Sequence, residues 1–465
     1  MPANAALREP SSGTVLLRAT MAAALSRALG FPLTLLISAW LARSLSRPEF
    51  AFMGVLTTFS VLFGTLAQMG YQSGVVRQLG EAQSGGSGES QNAIYFAAVL
   101  TTLAAGVVLG IGFLLFGTGW LPTLRGATDT LFLLAAALLV ARSLNTVTGE
   151  AFRGIGMVGT ASNFSGMGTQ GGIVRCLLML AALGVVAIGW HVTLEAALAV
   201  SIFASVASSL AAAAIIRGRL DGELSFGRIL GSARSRFDSN FVRMMSESLQ
   251  YWTSSSAALL IGGNILAAEK VADVVAALQI LNLIASPLTL LLGAAPAVLI
   301  KLRQEGRNAE LEGLMRGSAS AALLMSLGAC GVLMVIGPKG FQLIFGPSYS
   351  DAYFHYLLLM IGIIFNVLGG MAGKALLMIG DVRDHRRAMG IALAISLPIF
   401  YFGALIFGPY GLSAAISVSV IVQNVLLVSA ARRKLGLKTY AYLRPAYYIR
   451  HATNLPALFK TMRTR

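Results

Sequence analysis

Charge is what this chain has least of. Of its 465 residues 12% are Asp, Glu, Lys or Arg, whereas an average soluble domain carries about 25%. A water-soluble globular enzyme needs more ionic surface than that, and so does a disordered chain, so both are excluded. Acids are the scarcer sign, 19 against 35 Lys and Arg, for a formal net charge of +16. Cysteine occurs twice, as Cys176 and Cys330 in separate apolar runs with no CxxC spacing, which excludes a disulfide framework. The four histidines, His191, His355, His385 and His451, are scattered and supply no zinc site, so neither metal nor cofactor is expected. Long polar stretches are missing as well. Twelve membrane spans of about 22 residues take about 264 positions, and loops and tails of about 15 residues leave no room for a soluble catalytic domain. A cleavable leader is not expected either: the first apolar run, 21–45, is too long and has no small-residue cleavage site.

What is present fits an all-α polytopic membrane protein. Apolar residues make up 56% of the chain and the mean hydropathy is +0.75. The 51 glycines allow close helix approach in a bilayer. Apolar runs separated by polar or Gly/Pro breaks give twelve candidate transmembrane helices. They lie at 21–45, 51–72, 93–116, 131–147, 164–190, 193–216, 244–266, 271–300, 318–336, 352–379, 391–407 and 412–431. The longest polar connection, 217–243, reads as a cytoplasmic linker between an N-terminal lobe of six helices, 1–216, and a C-terminal lobe of six, 244–431. A basic cytoplasmic tail follows at 432–465.

The net charge would suggest nucleic acid in a soluble protein; here it is a positive-inside signal, and no nucleic-acid partner is expected. With both termini cytoplasmic, 29 cations fall on inner segments (Arg27, Arg142 and Lys374 counted among them) and five on outer ones, while Arg175 lies within the fifth span. One missed or invented helix would destroy that bias. The tail carries nine cations, no acid and four tyrosines, which suits an anchor on anionic lipid; docking of a cytoplasmic partner is the alternative. Short outer turns at 46–51 and 269–272 lead into the second and eighth spans. An even number of helices separates them, so any repeat is parallel rather than inverted.

The residues also resemble a known family. Leu25–Ser26–Arg27–Ala28–Leu29–Gly30–Phe31 precedes a span and then Leu45–Ser46–Arg47–Pro48–Glu49–Phe50. The second half supplies Leu343–Ile344–Phe345–Gly346–Pro347–Ser348–Tyr349, Leu377–Met378–Ile379–Gly380–Asp381 and Gly408–Pro409–Tyr410–Gly411–Leu412–Ser413–Ala414–Ala415. In order and in placement against the spans, these are similar to the polysaccharide transporters, the lipid-linked oligosaccharide flippases of the MATE-like (multidrug/oligosaccharidyl-lipid/polysaccharide) superfamily. The resemblance implies two six-helix lobes around a cavity that opens alternately to either side. It implies a polyprenyl-pyrophosphate-linked oligosaccharide as cargo, membrane lipids as surroundings, and a polysaccharide polymerase and export machinery as partners. The stretch around Arg27 is also similar to the first helix of the lipid II flippases, where the matching arginine is functional. Those flippases carry a second basic residue where Leu33 stands, and basic residues in the second and eighth helices, where spans 51–72 and 271–300 have none. That favours an O-antigen or exopolysaccharide unit over lipid II.

Candidate substrate-binding residues follow from cost. A charge at bilayer depth costs about 2.5–3.5 kcal/mol, so it is placed against a cavity or a partner. Arg27, about two turns into the first span, is a substrate contact or a side chain snorkelling to the inner surface. Arg175, near the middle of the fifth span, is a substrate contact or an internal helix-to-helix contact. Lys374, near the inner end of the tenth, has snorkelling as its alternative. The seventh span opens on a polar run that includes Glu247, Gln250, Tyr251 and Trp252, suited to lining a wet, sugar-binding cavity; inter-helix hydrogen bonding is the alternative. Glu247 and Asp273 are the main acids in the spans and form no evident proton relay or sodium cage. The membrane potential alone favours outward movement of an anion by up to about 2.3 kcal/mol per charge per 100 mV.

The expected function is a bacterial inner-membrane flippase, not an enzyme, that moves lipid-linked repeat units to the outer leaflet. A multidrug or metabolite antiporter of the same superfamily is the nearest alternative. A membrane polymerase or glycosyltransferase is the alternative from another class. It generally needs a large outer loop with catalytic residues, and the longest here, 337–351, carries Lys339 and Asp351 only. The topology is testable: reporters inserted within 217–243 and after Arg465 are expected to be cytoplasmic and one at Gly346 external. A C-terminal reporter on the outside contradicts twelve spans.

Overall fold

The computed structural model describes residues 12–83, 89–120, 129–165, 172–288, 299 and 302–442. They form seventeen helices longer than a turn, and among the described residues no strand occurs. The first half holds α1 (Ser12–Ser44), α2 (Arg47–Ala67), α3 (Tyr71–Gln83), α4 (Gln91–Trp120), α5 (Asp129–Gly154), α6 (Val158–Phe164), α7 (Ile173–Gly189) and α8 (Leu194–Arg217). After α9 (Phe226–Ser235) come α10 (Phe237–Trp252), α11 (Ser255–Ile265), α12 (Ala268–Ile284) and α13 (Asn308–Ile336). The last are α14 (Pro338–Phe345), α15 (Ala352–Gly369), α16 (Ala372–Ile379) and α17 (Val382–Leu435). Seven are long and apolar enough to cross a membrane: α2, α4, α5, α8, α13, α15 and α17.

The twelve apolar runs each find a helix, but several boundaries move. Span 51–72 stops at Ala67, where Met69 and Gly70 take positive φ and turn the chain into α3. Span 164–190 begins as a helix only at Ile173. The eighth span is helical as α12, and its part at 289–298 lies outside the described residues. Segment 217–243 is not a bare linker. It contains α9, which packs on α4, and the start of α10, and Arg236 reaches Glu89 at 3.1 Å. The part of the basic tail from 443 on lies outside the described residues.

Two spans are broken within their length, and protein groups take up the freed carbonyls at each break. Backbone polar groups have no water at membrane depth, so a break survives only where protein satisfies it. Between α10 and α11 the freed carbonyl of Thr253 accepts from Ser419 Oγ at 2.7 Å, and Ser419 is paired with Ser396 Oγ at 2.5 Å. Between α15 and α16 the carbonyls of Leu368 and Gly369 accept from the Ala441 amide (2.9 Å) and Thr439 Oγ (3.2 Å). The segment after α17 is thereby strapped across that break. The expected spans 391–407 and 412–431 are the two arms of α17, which reverses where Gly408 takes φ 63° ahead of Pro409, so that Ser396 of one arm meets Ser419 of the other.

Helix α2 is the strut of the assembly. Of its apolar stretch 72% is buried inside the protein, against 22% for α4. It packs on α4 and α5 of its own half and on α10, α11 and α12 of the other. Its start is fixed by a capping interaction in which the Ser46 amide and hydroxyl both donate to Glu49 Oε2, at 2.9 and 2.6 Å. Close approach of the halves depends on small residues. A Cβ on Gly54 would stand 2.7 Å from Val275 Cγ2, and one on Gly263 2.9 Å from Val55 Cγ2. Valine is stiff at χ1 and cannot swing away. Gly54→Leu is therefore expected to destabilise the detergent-solubilised protein by about 1–3 kcal/mol, read as a lowered melting temperature. Gly112→Leu, where a Cβ meets nothing within 4 Å, is expected to leave it unchanged.

Candidate functional site

A cavity of about 100 Å³ lies between the halves, walled by α1, α2, α5, α7 and α8 on one side and by α11 and α12 on the other. Sites that hold a drug-sized ligand measure about 300–1,000 Å³, so a large cargo enters only when the halves part. The first half contributes the two cations, Arg142 from α5 and Arg175 from α7, with hydroxyls from Ser38, Thr58 and Ser201. The second half contributes Ser255 and Ser256 at the start of α11 and Gln279 and Asn282 on α12. No carboxylate is among the described residues that line it.

Arg175 is 7% exposed. Its Nε donates to Ser205 Oγ and one terminal nitrogen to Ser201 Oγ, each at 3.0 Å. The two serines are four apart on α8 and so share a face. Their hydroxyls in turn donate backward along the helix, Ser205 to the Ser201 carbonyl and Ser209 to the Ser205 carbonyl. This neutral ladder orients the guanidinium without cancelling its charge, and among the described residues no carboxylate pairs with it. Arg175 is not at mid-helix as its place in the run suggests: α7 begins at Ile173 after an extended Gly172, so the arginine sits in the first turn. The exposed amides of a helix start add partial positive charge at the same place. Arg142 lies near the middle of α5 and is half-buried against the same cavity. It is a cation of the membrane interior rather than of an inner loop, a correction that leaves the positive-inside bias intact. One buried and one half-buried cation, with hydroxyl and amide groups and no acid among the described lining, are chemically suited to an anion with polar substituents.

The other expected residues fall elsewhere. Arg27 is in the helical backbone of α1, and its side chain lies outside the described residues; its neighbour Ser26 donates to Asn163 Oδ1 at 2.7 Å and ties α1 to α6. Glu247, on α10, faces Ser73 of α3, with Lys374 of α16 and Arg243 as its nearest cations. Glu247 and Lys374 thus belong to a second polar cluster on the α10 side, apart from the arginine cavity. Gln250 is exposed and Tyr251 half-buried. Trp252 is also half-buried and meets Phe63 of α2 edge-on at 5.8 Å, across the two halves. Glu247, Gln250, Tyr251, Trp252 and Lys374 do not line the arginine cavity; Ser255 and Ser256, at the end of the polar run, do. Sequence reasoning missed Arg142, Ser201, Ser205, Gln279 and Asn282. Arg142 was marked by its place at the heart of the 131–147 run, and Ser201–Ser205–Ser209 by its four-residue period.

The family described as polysaccharide biosynthesis protein matches residues 16–300. No curated protein matches the chain. Among solved structures, the inward-facing conformation of a multidrug resistance MATE family transporter of the MOP superfamily superposes with a TM-score of 0.64. It is 16% identical over 90% of this chain and 97% of its own. The outward-facing conformation of a multidrug resistance MATE family transporter gives 0.61 at 16% identity over 91% and 98%. A MOP superfamily transporter from Pyrococcus furiosus Vc1, noted for the reverse polarity of its binding pocket, gives 0.59 at 15% over 91% and 98%. Identities this low speak for the fold, and the family match covers more than half of the chain. This multi-pass membrane protein belongs to the polysaccharide biosynthesis protein family and carries the MATE-like fold of MOP-superfamily transporters.

Proposed function

We propose that the protein is a flippase of a bacterial inner membrane, moving polyprenyl-pyrophosphate-linked oligosaccharide repeat units to the outer leaflet for O-antigen or exopolysaccharide synthesis. The observation that carries this is the acid-free cavity with Arg175 and Arg142 in its wall. A pyrophosphate carries the charge that suits Arg175 and Arg142, and the repeat unit supplies hydroxyls for Ser255, Ser256, Gln279 and Asn282. The protein performs no covalent chemistry in this reading; a polymerase and export machinery act on the product after it. An antiporter of cationic drugs needs a carboxylate where this cavity has cations. Glu247, Gln250, Tyr251, Trp252 and Lys374 are kept as contacts along the path that do not line the central cavity, and Arg27 is kept as a contact from α1.

Deleting the gene is expected to leave lipid-linked repeat units on the inner leaflet and no surface polymer. Unchanged polymer in a strain without a redundant flippase contradicts the reading. Losing one partner of a desolvated charge pair costs about 2–5 kcal/mol, and every 1.4 kcal/mol is tenfold. Arg175→Ala is therefore expected to lower polymer export by more than about tenfold at matched membrane abundance. Arg175→Lys keeps the charge but loses the fork that spans Ser201 and Ser205, and is expected to be intermediate. The same pair of substitutions at Arg27 separates a substrate contact from a snorkelling anchor: export that is normal with both Ala and Lys assigns it to the surface.

A further inference from the structure

At the end of the molecule that the positive-inside bias places outside, charge and packed aromatic rings join the two halves. Arg47, which opens α2, donates to Asp273 Oδ2 on α12 at 2.5 Å and to the Glu269 carbonyl at 3.2 Å. Its guanidinium lies 5.5 Å from the Tyr349 ring centroid. Arg43, in the last turn of α1, donates to the carbonyls of Ile344 (3.0 Å) and Leu343 at the end of α14, a cation on a helix C-terminus. Just below, Phe50 meets Tyr349 edge-on at 5.7 Å and Phe345 at 6.4 Å. Phe50 also lines the arginine cavity, so it is the cavity's roof on this side.

The Arg47–Asp273 pair is built to hold weakly. Asp273 is 1% exposed and Arg47 29%, so both ions have lost water, and their attraction is set against that loss. The contact is single rather than forked. Asp273 Oδ1 and Arg47 Nε find no hydrogen-bond partner among the described residues. When the halves part, both groups regain water, which offsets much of the lost attraction. A fully satisfied pair would lock the mouth, and an apolar seam would give it no reason to hydrate.

We propose that the Arg47–Asp273 pair, seated against Tyr349 above the Phe50 roof, is the latch of the outer mouth, closed in this structure and opened by separation of the ions. That the opening releases cargo to the outer leaflet rests on the flippase reading; the latch itself does not.

Cys176 lines the cavity beneath the roof and serves as the reporter. In a Cys330→Ser background, a membrane-impermeant thiol reagent outside intact cells reaches Cys176 only through an open outer mouth. Arg47→Gln strands the buried Asp273 carboxylate, which hydrates only when the mouth opens. Labelling is expected to rise about tenfold, the equivalent of about 1.4 kcal/mol. Arg47→Lys keeps the pair and stays near the starting rate. The charge-swapped double Arg47→Asp with Asp273→Arg returns labelling to that rate, which an unfolded variant would not do. The proposal is overturned if Arg47→Gln labels no faster, if the swap does not restore the rate, or if labelling rises only in inverted vesicles. No lipid-linked cargo enters this measurement, so a chain that passes it and fails to flip oligosaccharide keeps the latch and loses the cargo assignment.

Discussion

The structure depends on keeping two arginines in the wall of an internal cavity whose described lining holds no carboxylate. Each costs about 2.5–3.5 kcal/mol at bilayer depth, and the fold meets that cost with geometry. Arg175 is held by Ser201 and Ser205, neutral donors and acceptors that orient it and leave its charge available. Arg142 is carried to the same cavity by the middle of α5. The second half answers with hydroxyls and amides only. The result is a cavity wall that, among its described residues, carries positive charge and neutral polar groups.

Around that site the fold is organised so that the halves meet without fusing. Helix α2 touches both, with Gly54 and Gly263 allowing contact distances that larger residues would forbid. Rings and hydrogen bonds join the ends, with Gly70 and Gly74 again allowing close approach to Asn240 of α10. Phe50, Phe345 and Tyr349 meet on the α14 side, while Trp252 on Phe63 and Gln78 on Asn240 (3.0 Å) meet on the α10 side. Broken helices serve the same end. The break at Thr253 delivers Ser255 and Ser256 to the cavity wall, and its freed carbonyl is taken up by Ser419. A continuous span would present one face to the cavity and could not turn its polar run there.

Much of this was legible in the sequence, because bilayer physics constrains composition and length so strongly. The twelve apolar runs and the depth cost of Arg175 are one-dimensional signals. Arg142 was legible too, yet a count of loop cations absorbed it despite its place inside the 131–147 run. What could not be read was pairing across the fold. Ser201 and Ser205 look like any small residues of an apolar helix until α7 lies beside them. The strap that brings Thr439 and Ala441 to the carbonyls of α15 spans about seventy residues of chain, and no local pattern announces it. The polar run that opens the seventh span suits a single cavity-lining helix, whereas the break at Thr253 divides it between the inter-helix cluster of Glu247 and the cavity serines.

The central claim is that the cavity is a receptor for an anionic lipid headgroup. The most direct measurement is equilibrium binding of the purified protein to a sugar carried on a polyprenyl pyrophosphate and to the same sugar on an uncharged polyprenol. The account predicts that the charged form binds at least about tenfold more tightly, and that Arg175→Gln removes most of the difference. Equal affinity for the two lipids would contradict it.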